Sequence, residues 1–151
     1  MRRFLTRVPP VVVLLVAIVL GFVLPERATA PGDAQWAALL ASSALFVAGL
    51  VIIARAAREF RRHRTSILPH AQPTHLVRSG PFGWSRNPIY VGMLLLSLVP
   101  FAWSGELVAL VSPGLYFLYM DRLTIPQEED RLRQRFPDTF EPYRQQVRRW
   151  I

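Results

Sequence analysis

Four apolar stretches, separated by charged segments, dominate the pattern of hydrophobic and polar positions along the chain. A helix needs about 20 predominantly apolar residues, with a range of about 17–25, to cross the hydrocarbon region of a bilayer. The second stretch has this length without a charge, and the other three are shorter. The pattern predicts an all-α integral membrane protein that forms a single membrane domain over residues 1–151. The predicted transmembrane helices cover about residues 8–24, 36–54, 88–103 and 107–120.

The last two predicted spans are separated only by Ser104, Gly105 and Glu106, which indicates a helical hairpin. Pro100 and Pro113 lie within these spans and predict kinks, because proline removes a backbone donor from the helix. Short spans interrupted by proline are tolerated where other helices shield them or where the bilayer is thin.

Arginine supplies all 18 basic residues of the chain, and its distribution is uneven. Seventeen arginines lie in the N-terminal segment, between spans two and three, or after span four, whereas Arg27 alone lies on the opposite side. Basic residues accumulate in cytoplasmic loops of membrane proteins. The distribution predicts a multi-pass protein of the cell inner (plasma) membrane, with both termini in the cytoplasm.

The N-terminus also has the pattern of a secretory signal peptide. A basic start precedes an apolar stretch, and Ala28-Thr29-Ala30 forms a small-residue end. Pro31 would follow the cleaved bond, where we expect cleavage to be poor. Cleavage of the first span stays open, and the orientation of the second span is the same in both cases.

The segment after residue 125 is too charged to span a membrane, and it predicts cytoplasmic amphipathic helices. Pro126 suits a first helical turn, and Pro137 is expected to end that helix. A second helix is expected to carry Phe140, Tyr143, Val147 and Trp150 on one face. The opposite face is rich in arginine, which is typical of a helix lying on the inner leaflet.

Composition and charge exclude several classes of function. The chain has no cysteine, so disulfides, thiolate metal sites and a cysteine nucleophile are excluded. His63, His70 and His75 lack helical ligand spacing, so we expect no metal partner. The net charge is +8, but the basic run at residues 61–64 adjoins a predicted span. It therefore indicates topology and contact with anionic lipids rather than nucleic acid.

Two polar segments at the predicted cytoplasmic edge have structural explanations when each is considered alone. Asn87 and Pro88 suit the start of a helix, Tyr90 suits the membrane interface, and Gly92 permits close helix packing. The acidic pair at residues 128–129 would interact favourably with the dipole of a helix that begins near Pro126.

The order and spacing of short motifs within residues 70–151 are more specific than any one of them. Residues 76–82 read Leu-Val-Arg-Ser-Gly-Pro-Phe, and residues 86–92 read Arg-Asn-Pro-Ile-Tyr-Val-Gly at the start of a span. After the hairpin come the Glu128-Glu129 pair, Leu132, Phe136, Phe140, Tyr143, Val147 and Arg149. This arrangement closely resembles that of the isoprenylcysteine carboxyl methyltransferase family, in particular its bacterial-type members. It is also similar to that of the related phospholipid methyltransferases.

The resemblance implies a membrane methyltransferase that uses S-adenosyl-L-methionine and acts on a lipidic or apolar acceptor. It implies a cytoplasm-facing cofactor pocket in the region 70–151, closed by the C-terminal segment. The residues implied in cofactor binding are His75, Leu76, Val77, Phe82, Asn87, Pro88, Ile89, Tyr90 and Glu128. Methyl transfer is an in-line displacement that depends mainly on proximity, alignment and a dry site and needs little acid–base machinery, so the absence of a catalytic dyad is no objection.

Several departures from the family pattern concern the acceptor and the C-terminal lid. Thr124 occupies the position of the substrate-side arginine, and Arg122 lies half a turn away. Pro137 and Phe140 replace a glycine and a tyrosine of the lid. The catalytic residues are unknown, with Arg86 and Arg122 as candidates, and Arg86 is expected to pair with the cofactor carboxylate.

The acceptor stays open among a lipid-linked carboxylate, a phospholipid amine and a thiol or other apolar nucleophile. A phospholipid N-methyltransferase is one alternative function, and a non-catalytic membrane scaffold of the same fold is the other. The sequence does not determine the oligomeric state or the pathway.

Overall fold

The computed structural model describes residues 8–26, 32–65 and 74–151, and within these ranges all regular structure is helical. The all-α prediction is therefore confirmed for the described residues. The candidate cleavage site at residues 28–30, His70 and the basic residues of the first seven positions lie outside those ranges. The helices are α1 Pro10–Val23, α2 Gln35–Arg62, α3 Pro88–Ser97, α4 Val99–Ser104, α5 Val111–Tyr119, α6 Ile125–Arg135 and α7 Pro137–Gln146.

Among the described residues, one helix is long and apolar enough to cross a membrane by itself. This helix is α2, with 28 residues and a mean hydropathy of 2.5 over its most apolar 18-residue window. The other apolar helices are shorter, with 14 residues in α1 and 17 from the start of α3 to the end of α4. The four-span count consequently stays a prediction.

Close packing of α2 against α3 depends on two facing glycines. A Cβ atom on Gly49 would lie 2.8 Å from the carbonyl oxygen of Gly92, and one on Gly92 would lie 2.7 Å from that of Gly49. Ile53 also approaches the Gly92 position at 2.7 Å. The backbones of the two helices therefore touch, as the small residue at Gly92 suggested.

The chain reverses direction between α4 and α5. Gly105 ends α4 with a φ of +72°, a left-handed conformation that favours glycine. A 3₁₀ turn, Leu107–Leu110, leads into α5, which packs against α3. Pro100 and Pro113 both lie in first helical turns, and the helix is interrupted before each of them. Ser112 donates to the carbonyl oxygen of Ala109 at 3.2 Å, an acceptor that Pro113 has no N–H to reach.

The helices that follow the fourth predicted span differ in two respects from their prediction. Helix α5 continues into α6 through the π-helical turn Met120–Thr124, so α6 is not a separate element. Helix α6 ends before Pro137 as expected, but α7 ends at Gln146 and Val147 is extended. The placement of Val147 and Trp150 on the same helix as Phe140 was therefore wrong. Phe140 is only 1% exposed and is buried within the protein.

Candidate functional site

A cavity of about 470 Å³ lies where the start of α1, the loop before α3, the first turn of α3, and helices α6 and α7 meet. This volume is within the ~300–1,000 Å³ typical of small-molecule sites. The nine residues implied in cofactor binding all line this cavity: His75, Leu76, Val77, Phe82, Asn87, Pro88, Ile89, Tyr90 and Glu128. They are separated by up to 53 positions in the sequence but meet at one site. Their role in binding stays a prediction.

The loop that supplies His75 to Phe82 rests on the last turns of α2. Val77 and Phe82 are buried against Ala56, which is fully buried. The ring of Phe82 meets that of Phe60 edge to face, with centroids 5.1 Å apart. These contacts fix one wall of the cavity to the longest helix of the protein.

Glu128 contributes a carboxylate to the cavity wall. Tyr90, itself buried, donates its hydroxyl proton to Glu128 Oε1 at 2.6 Å. Loss of water around the carboxylate raises the pKa of Glu128 to about 7, although the Tyr90 bond and the charge of Arg131 act in the opposite direction. Glu128 is therefore divided between its protonated and ionised forms near neutral pH.

The neighbouring Glu129 has a different environment, between two guanidinium groups. Its Oε1 accepts from Arg86 at 2.7 Å, and its Oε2 accepts from Arg149 at 2.7 Å. Burial opposes ionisation, but the bonds from Arg149 and Arg86 lower the pKa of Glu129 overall. Glu129 is consequently a structural anion at neutral pH.

Arg86 is already engaged by protein groups. Besides Glu129, its guanidinium donates to the carbonyl oxygens of Arg144 and Val147, and its side chain is only 10% exposed. The expectation that Arg86 pairs with a cofactor carboxylate is therefore not supported by this geometry, although Arg86 does line the cavity.

The final residues of the chain, 147–151, form a segment that we name the C-terminal strap. Arg149 bonds to Asp121 at 3.2 Å as well as to Glu129, and Trp150 donates its indole N–H to Asp121 at 3.0 Å. Asn87 donates its side-chain amide to the carbonyl oxygen of Arg149 at 2.9 Å. Asn87 precedes α3 but makes no side-chain cap bond, so its side chain holds the strap and not the helix.

Arg122, the second catalytic candidate, lies away from the cavity lining. Its side chain is 76% exposed and pairs with Asp121 at 3.5 Å. Thr124 lies in the π-helical turn that joins α5 to α6. Neither residue reaches the site in this structure.

Several cavity residues were not anticipated as site residues. The start of α1 contributes Pro9, Pro10 and Val11, and its sequence indicated only a membrane span. Glu129 and Tyr143 carried a signal, because both belong to the motif series, but no role was attached to them. The Tyr143 hydroxyl donates to the Phe82 carbonyl oxygen at 2.8 Å and so ties α7 to the loop.

The described residues form helices only, with one long apolar helix and a largely apolar cavity at its end, an arrangement compatible with a membrane-associated protein. A sequence model of the phospholipid methyltransferase family matches residues 37–139. The match covers more than half of the chain, and the chain belongs to this family. The family implies a membrane methyltransferase.

A protein of Haemophilus influenzae described as uncharacterized is similar to part of this chain. It is 32% identical over 63 residues, which make up 42% of this chain and 100% of that protein. No solved structure matches this chain.

Proposed function

We propose that this protein is an S-adenosylmethionine-dependent methyltransferase that acts on a lipidic or apolar acceptor at the inner membrane. The observation that carries the proposal is the cavity, because it collects all nine residues expected around the cofactor. Membership of the phospholipid methyltransferase family supports the reaction class.

The side chains of the cavity fit this cofactor. S-adenosylmethionine carries an ammonium, a ribose diol and a cationic sulfonium, and it would supply the methyl group. Glu128 is placed to accept a hydrogen bond from the ammonium or from the ribose hydroxyls. Tyr90 holds the Glu128 carboxylate in position. Val77 and Phe82 offer apolar surface that excludes water from the site.

The proposed membrane arrangement has four spans with both termini in the cytoplasm. Large apolar side chains are exposed on α1, α2 and α5, for example Val19 (59%), Leu40 (71%) and Leu115 (54%), as expected for helices in contact with lipid. Pro9, Pro10 and Val11 connect the α1 surface with the cavity wall. We infer that the acceptor enters the cavity from the bilayer along this edge.

The geometry bears on the chemistry of the acceptor. A carboxylate acceptor would need a cation near the reacting atoms, and the two arginines first considered are engaged by Glu129 or lie outside the cavity. A phospholipid amine needs no such cation but must lose a proton before it attacks the methyl group, and the Glu128 carboxylate in the cavity lining is the candidate acceptor of that proton. Phospholipid N-methylation is therefore the preferred alternative to isoprenylcysteine carboxyl methylation, and Arg131 at the cavity wall is the arginine to test for a carboxylate.

Calorimetric titration with S-adenosylmethionine tests the proposal directly. We expect the detergent-purified wild type to bind and Glu128→Ala to bind about 10- to 100-fold more weakly, the range for loss of a hydrogen bond to a charged group. Glu128→Gln keeps an acceptor for Tyr90 and isolates the effect of the charge.

Asp130→Asn is the matched control, because its side chain is 63% exposed on the same helix and pairs with Arg133. We expect it to bind as the wild type does. Absence of binding by a folded wild type would favour the non-catalytic scaffold. Equal affinity in the Glu128 variants would remove Glu128 from the cofactor site. If binding is established, lipid extracts should be screened for the methyl acceptor.

A further inference from the structure

Three side chains join the last turns of α2 to the loop before α3. Glu59 accepts a hydrogen bond from the Ser79 hydroxyl through Oε2. His63 Nε2 lies 3.0 Å from Ser79 Oγ and 3.8 Å from Glu59 Oε2. We name Glu59, His63 and Ser79 the loop clasp. It lies outside the lining of the cavity, and the proposed chemistry does not use it.

The loop clasp contains the side chains of a hydrolytic triad, but its geometry does not support that activity. In such a triad a histidine lies between the serine and the acid and binds each through a different ring nitrogen. Here the Ser79 hydroxyl bonds directly to Glu59, and the same nitrogen of His63 faces both groups. A mechanical role fits the arrangement better.

Glu59 has one partner within its own helix, because Arg62 donates to its Oε1 at 3.1 Å. It lies in the last turns of α2, which ends at Arg62, and a carboxylate near a helix C-terminus is opposed by the helix dipole. Glu59 is nevertheless 7% exposed. The buried carboxylate is bound both by Arg62 within the helix and by Ser79 in the loop, so it links the two elements.

The loop is shaped to receive Glu59. Gly80 has a φ of +59°, which a residue with a side chain adopts only with strain. A Cβ atom at Gly80 would also lie 3.0 Å from Glu59 Cγ. The glycine therefore serves both the turn and the close approach of the glutamate.

We propose that Glu59 is a positioning residue that fixes the loop of residues 75–82 and thereby sets the affinity of the cavity for its cofactor. The effect on cofactor affinity rests on the proposed function, whereas the effect on the position of the loop does not. The loop carries His75, Leu76, Val77 and Phe82, so a displaced loop would move four of the nine lining residues. Glu59 itself contacts neither the cavity nor the reacting atoms.

Hydrogen exchange on the ligand-free, full-length protein in detergent tests the loop clasp independently of the cofactor. The amide of Phe82 donates to the carbonyl oxygen of Ser79 within the loop and reports its order. We expect exchange in residues 76–83 to rise about tenfold in Glu59→Ala and in Ser79→Ala, the order expected for loss of a hydrogen bond to a charged group. Ser79→Thr keeps the hydroxyl and should restore slow exchange.

The same variants are then titrated with S-adenosylmethionine, with Asp130→Asn as the control that removes an exposed carboxylate distant from the loop clasp. We expect Ser79→Ala to bind about tenfold more weakly, and Ser79→Thr and Asp130→Asn to bind normally. Unchanged exchange in Ser79→Ala would overturn the clasp. Faster exchange with unchanged affinity would overturn the positioning role. A wild type that binds no cofactor would refute the proposed function. The hydrogen-exchange result would still show whether the loop clasp orders the loop.

Discussion

Glu128 and Glu129 are consecutive residues that the fold places in opposite environments. One turn of α6 directs Glu128 toward the cavity and Tyr90, and Glu129 toward Arg86 and Arg149. The first carboxylate has a raised pKa and the second a lowered one. Groups whose environments separate their pKa values usually have different roles. Here Glu128 faces the cavity, whereas Glu129 joins Arg86 before α3 to Arg149 near the C-terminus.

The raised pKa of Glu128 predicts a pH dependence of stability. Since the folded-state pKa is about 7 and the ordinary value is 4.5, the folded protein binds the proton more tightly than the unfolded chain. The contribution of the protonated Glu128 to the free energy of unfolding is fully present below pH 4.5 and is lost as the pH rises through 7. Thermal unfolding of the ligand-free wild type should show that the free energy of unfolding falls by roughly 3 kcal/mol between these limits.

Glu128→Gln is the control for this dependence, because the amide does not titrate. Its unfolding midpoint should vary less between pH 4.5 and 8 than that of the wild type. Parallel pH profiles for the two proteins would mean that the carboxylate titrates normally and that the cavity wall is hydrated.

The C-terminal strap does not line the cavity, but it connects segments of the protein around it. Arg149 reaches both Glu129 on α6 and Asp121 in the π-helical turn, while its backbone carbonyl accepts from Asn87 before α3. The backbone of Arg86 also donates to the carbonyl oxygen of Arg148 at 2.9 Å. The strap therefore joins α6, the π-helical turn and the segment before α3, and the first and last of these also line the cavity.

Arg149→Gln should destabilise the protein by about 1–3 kcal/mol, between the values for surface and buried ion pairs, since the side chain is one-third exposed. Arg148→Gln removes the same charge from an exposed neighbour and should have little effect. Differential unfolding of the two variants checks the prediction. Equal midpoints would show that the strap is held by its backbone bonds and by packing of Trp150 on Phe117.

The sequence predicted the positions of the helices more reliably than the side-chain contacts between distant segments. Apolar stretches and prolines located α1, α2, the hairpin and the break at Pro137, because these features act locally. The motif series identified residues that line one cavity. The pairing of Arg86 with Glu129 spans 43 positions and has no local signature. Trp150 was misplaced because helical spacing continued past Gln146, where the strap makes tertiary contacts that favour an extended chain.

At the scale of the whole molecule, the proposed topology places the two ends of α2 on opposite sides of the membrane. The C-terminal end of α2 carries the arginines and meets the loop, whereas Gln35 is exposed at the opposite end of the helix. The cavity, α6 and α7 would then all lie at the cytoplasmic edge. This arrangement would give the site access to a soluble cofactor and to a membrane acceptor.

The absence of cysteine makes this topology directly measurable, because each introduced thiol is unique. Gln35→Cys and Gln145→Cys place thiols at exposed positions, at the start of α2 and near the end of α7. In intact cells, a membrane-impermeant maleimide should label Gln35→Cys and should label Gln145→Cys only after permeabilisation. Labelling of Gln145→Cys in intact cells would put the cavity outside the cytoplasm. The site would then have no access to intracellular S-adenosylmethionine, and the proposed reaction would fail with the topology.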